Sequence, residues 1–305
     1  MAGDSVLVLI GPTATGKTAV AVEVASRIDG EIVSADSRAF FAGLEVVAAV
    51  PSEAERAGIP HHLVETVPLD RSYDAMTFRR DVEALVPEIR ARGRVPMIVG
   101  GGTLYLGAIL RGIFEGPSKD PAFREHLSDR DSAELHEELR RVDPDAASAI
   151  HPNDRLRIER ALEVFELSGR PISRWQTEAA PLPYPFVVFG LTRERGDHRA
   201  AIRARVLHMV EHGLVEEAET LRAAGLTEVD QAFRTIGVPE VLAYVDGACT
   251  EEEMIESIVA QTWALAKRQR AWFRRDRNVT WLDVTGRSAA DLADEIVAGW
   301  RKRIG

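Results

Sequence analysis

The sequence predicts an α/β protein: a P-loop NTPase-like parallel sheet flanked by helices, with a helical insertion domain. Three observations carry this. Short apolar runs alternate with segments of helical period. An eight-residue phosphate-binding pattern joins the first run to the first helical segment. Strand-like runs then vanish between residues 118 and 182 and return afterwards.

Residues 5–10, SVLVLI, predict a buried strand that runs directly into 11–18, GPTATGKT. A helical pattern, AVAVEVASRI, follows. Residues 31–35, EIVSA, predict a second strand that ends at Asp36. Across 74–92 the spacing of Phe78, Val82, Leu85 and Ile89 predicts an amphipathic helix. VPMIVG at 95–100 predicts a third strand, ending in Gly100, Gly101 and Gly102. Such alternation implies parallel strands covered on both faces. The insertion reads as helices over 121–129, 131–141, 144–150 and 154–168, with prolines at 171, 181, 183 and 185 marking its end. Asn153 and Asp154 are expected to cap the 154–168 helix. FVVFGL at 186–191 returns the chain to the sheet. A long helix follows at 250–275, and Ser288 with Asp291 starts a last one. The expected organisation is a catalytic core of 1–117 plus 183–305 and an insertion of 118–182.

Composition bounds the function. The 305 residues are 45% hydrophobic and 28% charged, an ordinary globular balance. A net charge of −10 argues against a protein that coats nucleic acid without specificity, but it leaves room for a local basic groove. The single cysteine, Cys249, excludes a disulfide framework and a cysteine-rich zinc site and fits a reducing compartment. The acidic N-terminus with its six-residue apolar run fits neither a signal peptide nor a membrane span. A cytoplasmic monomer without membrane contact is expected.

Residues Gly11, Pro12, Thr13, Ala14, Thr15, Gly16, Lys17 and Thr18 satisfy G-x-x-x-x-G-K-[ST] between a strand and a helix. Backbone N–H groups, the helix N-terminus and Lys17 can cradle a diphosphate or nucleotide, and the Thr18 hydroxyl can hold Mg²⁺ through its phosphates. The third strand ends in glycines and offers no carboxylate for the metal, unlike ATP-hydrolysing motors. Asp36 suits a general base beside the phosphates, or a helix N-cap. At this level a small-molecule kinase and a transferase with a diphosphate leaving group both remain open.

Several segments together resemble the tRNA dimethylallyltransferases (tRNA isopentenyltransferases). They are GPTATGKT at 11–18, SADS at 34–37, PHHL at 60–63, VGG with LY at 99–105, HPNDRLRIERALEVFELSG at 151–169, Arg205, IG at 236–237 with Glu240, and AKRQRAWFR at 266–274. Their order matches and they span nearly the whole chain. The resemblance implies transfer of a dimethylallyl group from dimethylallyl diphosphate to N6 of the adenine 3′-adjacent to the anticodon. It implies catalytic roles for Asp36, Thr13, Lys17 and Arg205, with Asp36 as base and Arg205 as a second cation on the diphosphate. It further implies tRNA contacts at Asp36, Ser37, Arg38, Ala39, Thr103, Arg124, Leu156, Arg157, Ile158, Glu159, Arg160, Lys267, Arg268, Gln269 and Arg274. The insertion would contact the anticodon stem-loop. His61 and His62 are read as structural, since no third ligand stands at metal-binding spacing. Residues 266–277 hold six basic residues and one acid, interleaved with Trp272 and Phe273, a stretch suited to phosphate contact.

The chain also departs from that family. Ala39, Phe41 and Ala42 stand where polar, Tyr and basic residues are usual. Val46-Val47-Ala48-Ala49-Val50-Pro51 replaces I-G-T-A-K-P, a third glycine precedes Thr103, Gly237-Val238-Pro239 replaces G-Y-[KR], and Thr262-Trp263 replaces T-R. A prenyltransferase acting on a free adenine nucleotide or another RNA, or a P-loop kinase, are the alternatives these departures leave.

Overall fold

The computed structural model describes residues 4–304. Its strands are β1 (Val6–Ile10), β2 (Gly30–Ser34), β3 (His61–His62), β4 (Val95–Gly100), β5 (Phe186–Thr192) and β6 (Val279–Asp283). The helices of the first half are α1 (Lys17–Ile28), α2 (Glu53–Arg56), α3 (Ala75–Ala91), α4 (Thr103–Leu110), α5 (Pro121–Ser128), α6 (Ser132–Val142) and α7 (Pro144–Ala149). Those of the second half are α8 (Arg155–Ser168), α9 (Ile172–Thr177), α10 (Arg195–Glu211), α11 (Leu214–Ala223), α12 (Val238–Val245), α13 (Glu251–Phe273) and α14 (Ala289–Ile304).

All strand pairs are parallel, in the order β3-β2-β4-β1-β5-β6. The apolar run of β1 has no exposed position because strands flank it on both sides and helices cover both faces. Leu7, Leu9, Met97, Phe189 and Ile296 share one core with Trp300 of α14. The topology brings three loops together. The carboxyl ends of β2, β4 and β1, adjacent strands, lead to Asp36, to the glycine run and to the phosphate-binding pattern respectively. In open parallel sheets that end is where ligands bind.

Local chemistry sets the element ends. Asp29, at φ 57°, closes α1 through its N–H to the Ala25 carbonyl. The Asp74 carboxylate caps α3 by accepting the Thr77 N–H at 2.8 Å. Thr250 and Glu253 form a capping box at the start of α13, and the Ser288 hydroxyl accepts the Asp291 N–H at 3.1 Å before α14. Two strands go beyond the sequence expectation. The edge strand β3 is only two residues long, and β6 is short and half-exposed, so neither carries a strong apolar run. His62 accounts for its own place: its ring meets Glu31, buried on β2, at 2.7 Å, and Arg92 donates to the same carboxylate at 2.6 Å.

The chain divides into two compact units, one formed by the chain up to Leu106 with the chain from Pro183 onward, the other by Gly107–Leu182. The first division thus falls at 106/107, where the sequence reading set it at 117/118. The second unit holds its own core, with Leu135, Leu139, Ile158, Ala161 and Val164 among its buried residues. Three of its helices start on aspartates. Asp120, Asp131 and Asp143 accept the N–H groups of Ala122, Ala133 and Ala146 at 2.9, 2.6 and 3.0 Å. The acidic residues counted in the sequence are therefore partly helix caps. Asp154 does occupy the N-cap position of α8 but makes no side-chain cap bond, pairing with Arg157 at 3.4 Å instead.

Glu163 is the buried charge of this unit. Burial would raise its pKa, but bonds from Arg124, Arg160 and the Asp120 N–H outweigh that and lower it to about 2. A carboxylate depressed on folding contributes stability above its unfolded pKa and loses it as pH falls through the folded value. Glu163→Gln should therefore lower amide-exchange protection of α8 most above about pH 5, and the gap to wild type should close toward about pH 2. Hydrogen exchange followed at Ile158–Val164 across that window checks it.

Candidate active site

The phosphate-binding pattern folds as a tight turn between β1 and α1. Gly16 stands at the N-cap of α1 in the left-handed region, φ 77°, where a side chain is disfavoured. No side chain caps this helix start, so its first-turn N–H groups stay available to an anion. The Thr15 hydroxyl donates to the Pro12 carbonyl at 2.9 Å and the Lys17 ammonium to the same carbonyl at 2.7 Å. Burial of the Lys17 ammonium pushes its pKa down to about 8, Asp36 acting upward and Arg205 further downward. Thr18 is exposed on the first turn.

The glycine run after β4 is explained by close approach. A Cβ at Gly100 would sit 2.4 Å from the Ala35 carbonyl, one at Gly102 2.5 Å from the same oxygen, and one at Gly101 2.7 Å from Gln269 Nε2. Gln269 fills this space with an amide that is spent at both ends. Its Oε1 accepts the Thr13 N–H at 3.0 Å and its Nε2 donates to the Gly101 carbonyl at 2.8 Å.

An open cavity of about 490 Å³ lies at this edge of the sheet. Thr13, Asp36, Arg38, Arg205, Arg234 and Arg268 supply polar wall, and Val47, Ala48, Met209, Ile236 and Ile258 supply an apolar part. Asp36 caps no helix. Its Oδ1 accepts the Arg38 N–H at 3.0 Å in a short turn, which aims the carboxylate at the cavity wall. It acts electrostatically on Lys17, Arg38 and Arg205 alike. Arg205 has its pKa lowered by burial and raised by Asp36, and donates to the Ala48 carbonyl at 3.2 Å. Arg38 donates to the Gln231 carbonyl at 2.6 Å.

The loop at 46–51, poor in polar side chains, is held through its backbone. The Val46 and Val47 N–H groups donate to Glu217 at 2.7 and 2.8 Å. Burial raises the Glu217 pKa against those bonds.

The remaining expected RNA contacts fall into classes. Ser37, Thr103 and Arg268 line the cavity with Asp36, Arg38 and Gln269. Lys267 and Arg274 are exposed on or just after α13. In the Gly107–Leu182 unit, Leu156 is 74% exposed and the Arg157 side chain 72%. Arg124 and Arg160 hold Glu163, and Glu159 pairs with Arg155 at 2.6 Å. Ala39 and Ile158 differ from the rest: both are buried, so their side chains pack inward.

Residues that sequence reading passed over include Gln231, Tyr105 and His198. Gln231 Nε2 donates to the Tyr105 hydroxyl at 3.1 Å, and that hydroxyl donates to the Tyr73 carbonyl at 2.6 Å. Tyr105 belongs to the LY pair of the resemblance without a role of its own there, while Gln231 and His198 are lone polar residues without motif spacing, so no sequence signal singles those two out. Among the described residues, one grouping of metal-donor side chains comes together: His208, Glu211 and His212, all exposed at the end of α10.

A family model described as IPP transferase matches residues 39–276. The tRNA dimethylallyltransferase 2 of Geotalea uraniireducens is 41% identical over 283 residues, 91% of each chain. The tRNA dimethylallyltransferase of Salinispora tropica is 42% identical over 295 residues, 94% of this chain and 90% of its own. Among solved structures, the full-length tRNA isopentenylpyrophosphate transferase of Bacillus halodurans superposes with a TM-score of 0.74 at 34% identity, covering 99% of this chain and 98% of that one. A eukaryotic dimethylallyltransferase acting on tRNA matches at a TM-score of 0.80 and 24% identity over 93% of this chain and 74% of its own, a likeness of fold.

The Lys17 cation is present below about pH 8 and lost above it. The affinity for inorganic pyrophosphate should fall as pH rises through that value. Lys17→Met should bind more weakly at neutral pH and lack the step. Calorimetric titration over the range checks both.

Proposed function

The chain belongs to the IPP transferase family, and from that membership we propose that it transfers a dimethylallyl group from dimethylallyl diphosphate to N6 of the adenine 3′-adjacent to the anticodon in tRNA. The observation that carries the site assignment is the position of Asp36, on one cavity wall with Thr13 and Arg205 and within electrostatic reach of Lys17.

The chemistry follows from that arrangement. Ionisation of the allylic C–O bond moves both electrons to the diphosphate. The N–H groups of residues 11–18, Lys17 and Arg205 stabilise that charge as it develops. The exocyclic amine of adenine is a weak nucleophile because its lone pair is delocalised into the ring. Asp36 accepts a hydrogen bond from it, orients it, and takes its proton as the N–C bond forms. The products are the N6-alkylated adenine, diphosphate and a proton that passes through Asp36. The apolar wall of Val47, Ala48 and Ile258 suits the five-carbon group.

Mg²⁺ belongs to the same proposal. The exposed Thr18 hydroxyl would offer an oxygen donor to such a hard cation, beside the diphosphate that the uncapped helix start would bind. When bound it supplies further charge neutralisation to the leaving diphosphate.

The target adenine must leave its stack to reach a walled cavity. Arg38, Arg234 and Arg268 line that wall and would guide the strand, and the exposed Lys267 and Arg274 would meet phosphates. Leu156 and Arg157 of the insertion present an exposed apolar and cationic pair suited to an RNA loop. A cytoplasmic location accords with such a substrate.

Incubation with dimethylallyl diphosphate and, in turn, unmodified tRNA, AMP or ATP should give a prenyl mass shift on the tRNA. Phosphoryl transfer without prenyl transfer would overturn the reading in favour of a kinase. Asp36→Asn should keep tRNA affinity and lose about 10²–10⁴ in single-turnover rate; activity within twofold of wild type would remove Asp36 as base. Neutralising Lys267, Arg268 or Arg274 should each reduce the slope of log K against log salt for tRNA by about one.

A further inference from the structure

We propose that His198 is a positioning residue for the phosphate cradle, a neutral imidazole that carries the placement of Arg270 on α13 to the carbonyl of Thr13. The inference rests on the diphosphate reading of residues 11–18.

His198 lies on the first turn of α10 with no exposed surface. Its Nε2 is 2.8 Å from the Thr13 carbonyl and its Nδ1 2.8 Å from the Arg270 guanidinium. A carbonyl can only accept and a guanidinium can only donate. The proton therefore sits on Nε2, and Nδ1 keeps its lone pair for Arg270. Protonation of Nδ1 would break the second bond and set two cations side by side. Burial, with Arg270, Arg193 and Lys17 nearby, lowers the pKa in the same sense, while the bond to Thr13 opposes it.

The ring is also held from the side. The Trp263 ring packs edge-on against it at 5.5 Å, and the Arg270 guanidinium lies 5.8 Å from the Trp263 centroid. Trp263, Ile202 and Ala266 form a small buried cluster on which Ala14 packs.

Ala14 is the strained residue of the loop, a non-glycine at φ 60°. The peptide before it is planar and trans, so fixing the Thr13 carbonyl fixes the Ala14 N–H in the opposite direction, away from the imidazole. Gln269 holds the Thr13 N–H on the other side. Consecutive residues of α13 thus restrain both peptide groups that flank the Thr13 Cα, one directly and one through His198. A cradle whose N–H groups are already aimed binds its anion without first ordering them.

The test compares His198→Gln with His198→Asn. Glutamine can place an amide N–H near the Nε2 position and its oxygen toward Arg270; asparagine is one bond too short for the carbonyl. Titration with inorganic pyrophosphate in the presence of Mg²⁺ should leave His198→Gln within about threefold of wild type and weaken His198→Asn about tenfold, equal to about 1.4 kcal/mol. Affinity for unmodified tRNA should stay within about twofold for both. Equal pyrophosphate affinity in His198→Asn and wild type overturns the proposal, as does equal loss in both variants or a parallel loss of tRNA affinity. Failure of the wild type itself to bind pyrophosphate would overturn the cradle reading, a separate outcome. Failure of the wild type to prenylate tRNA while these binding differences hold would overturn the enzymatic reading and leave the role of His198 standing.

Discussion

One side-chain amide ties the site together. Gln269 bonds the Thr13 N–H and the Gly101 carbonyl, joining the loop after β1 to the loop after β4 from a position 256 residues beyond Thr13 and 168 beyond Gly101. Gln269 is buried, and losing either bond would leave a polar group short of its partner. The glycine at 101 is a consequence, because any Cβ there would meet the amide nitrogen. The glycines at 100 and 102 answer the same demand from the Ala35 backbone. What looks in the sequence like an extra glycine in a family motif is a packing solution for three loops crossing at one sheet edge.

The electrostatics of the cavity run against the charge of the chain. A protein of net charge −10 gathers Lys17, Arg38 and Arg205 around a single carboxylate, Asp36. Burial disfavours each cation, and Lys17 and Arg205 repel one another. A bound diphosphate would relieve both conditions, which is how a site gains affinity for an anion without a basic surface elsewhere. The acidic residues have their own uses in the structure, as helix caps at Asp120, Asp131 and Asp143 and as the buried partner of two arginines at Glu163.

Replacement of polar residues along the cavity does not loosen it. At 46–51 the hydrogen bonds come from the main chain, through Glu217 and Arg205, so apolar side chains are tolerated and add apolar wall. Trp263, another departure from the family pattern, is buried among Ile202, Ala266 and His198, with the guanidinium groups of Arg199 and Arg270 against its ring.

The sequence alone determined the parallel α/β architecture, the helical insertion, the strand–GPTATGKT–helix turn and the place of Asp36 just after a strand, because each is written locally. Apolar period, glycine placement and an acid at a strand end depend on neighbours a few residues apart. It did not determine β3 or β6, whose short, half-exposed runs become strands only because β2 and β5 offer edges. It also could not separate the basic residues of α8 and α13 by role. Helical spacing alone cannot tell Arg160, bound to Glu163, from Arg157, exposed to solvent, nor Gln269, buried and bonded to two loops, from Arg268, exposed beside it. The partners that decide are tens to hundreds of residues away, so only the assembled tertiary structure brings them within hydrogen-bonding distance.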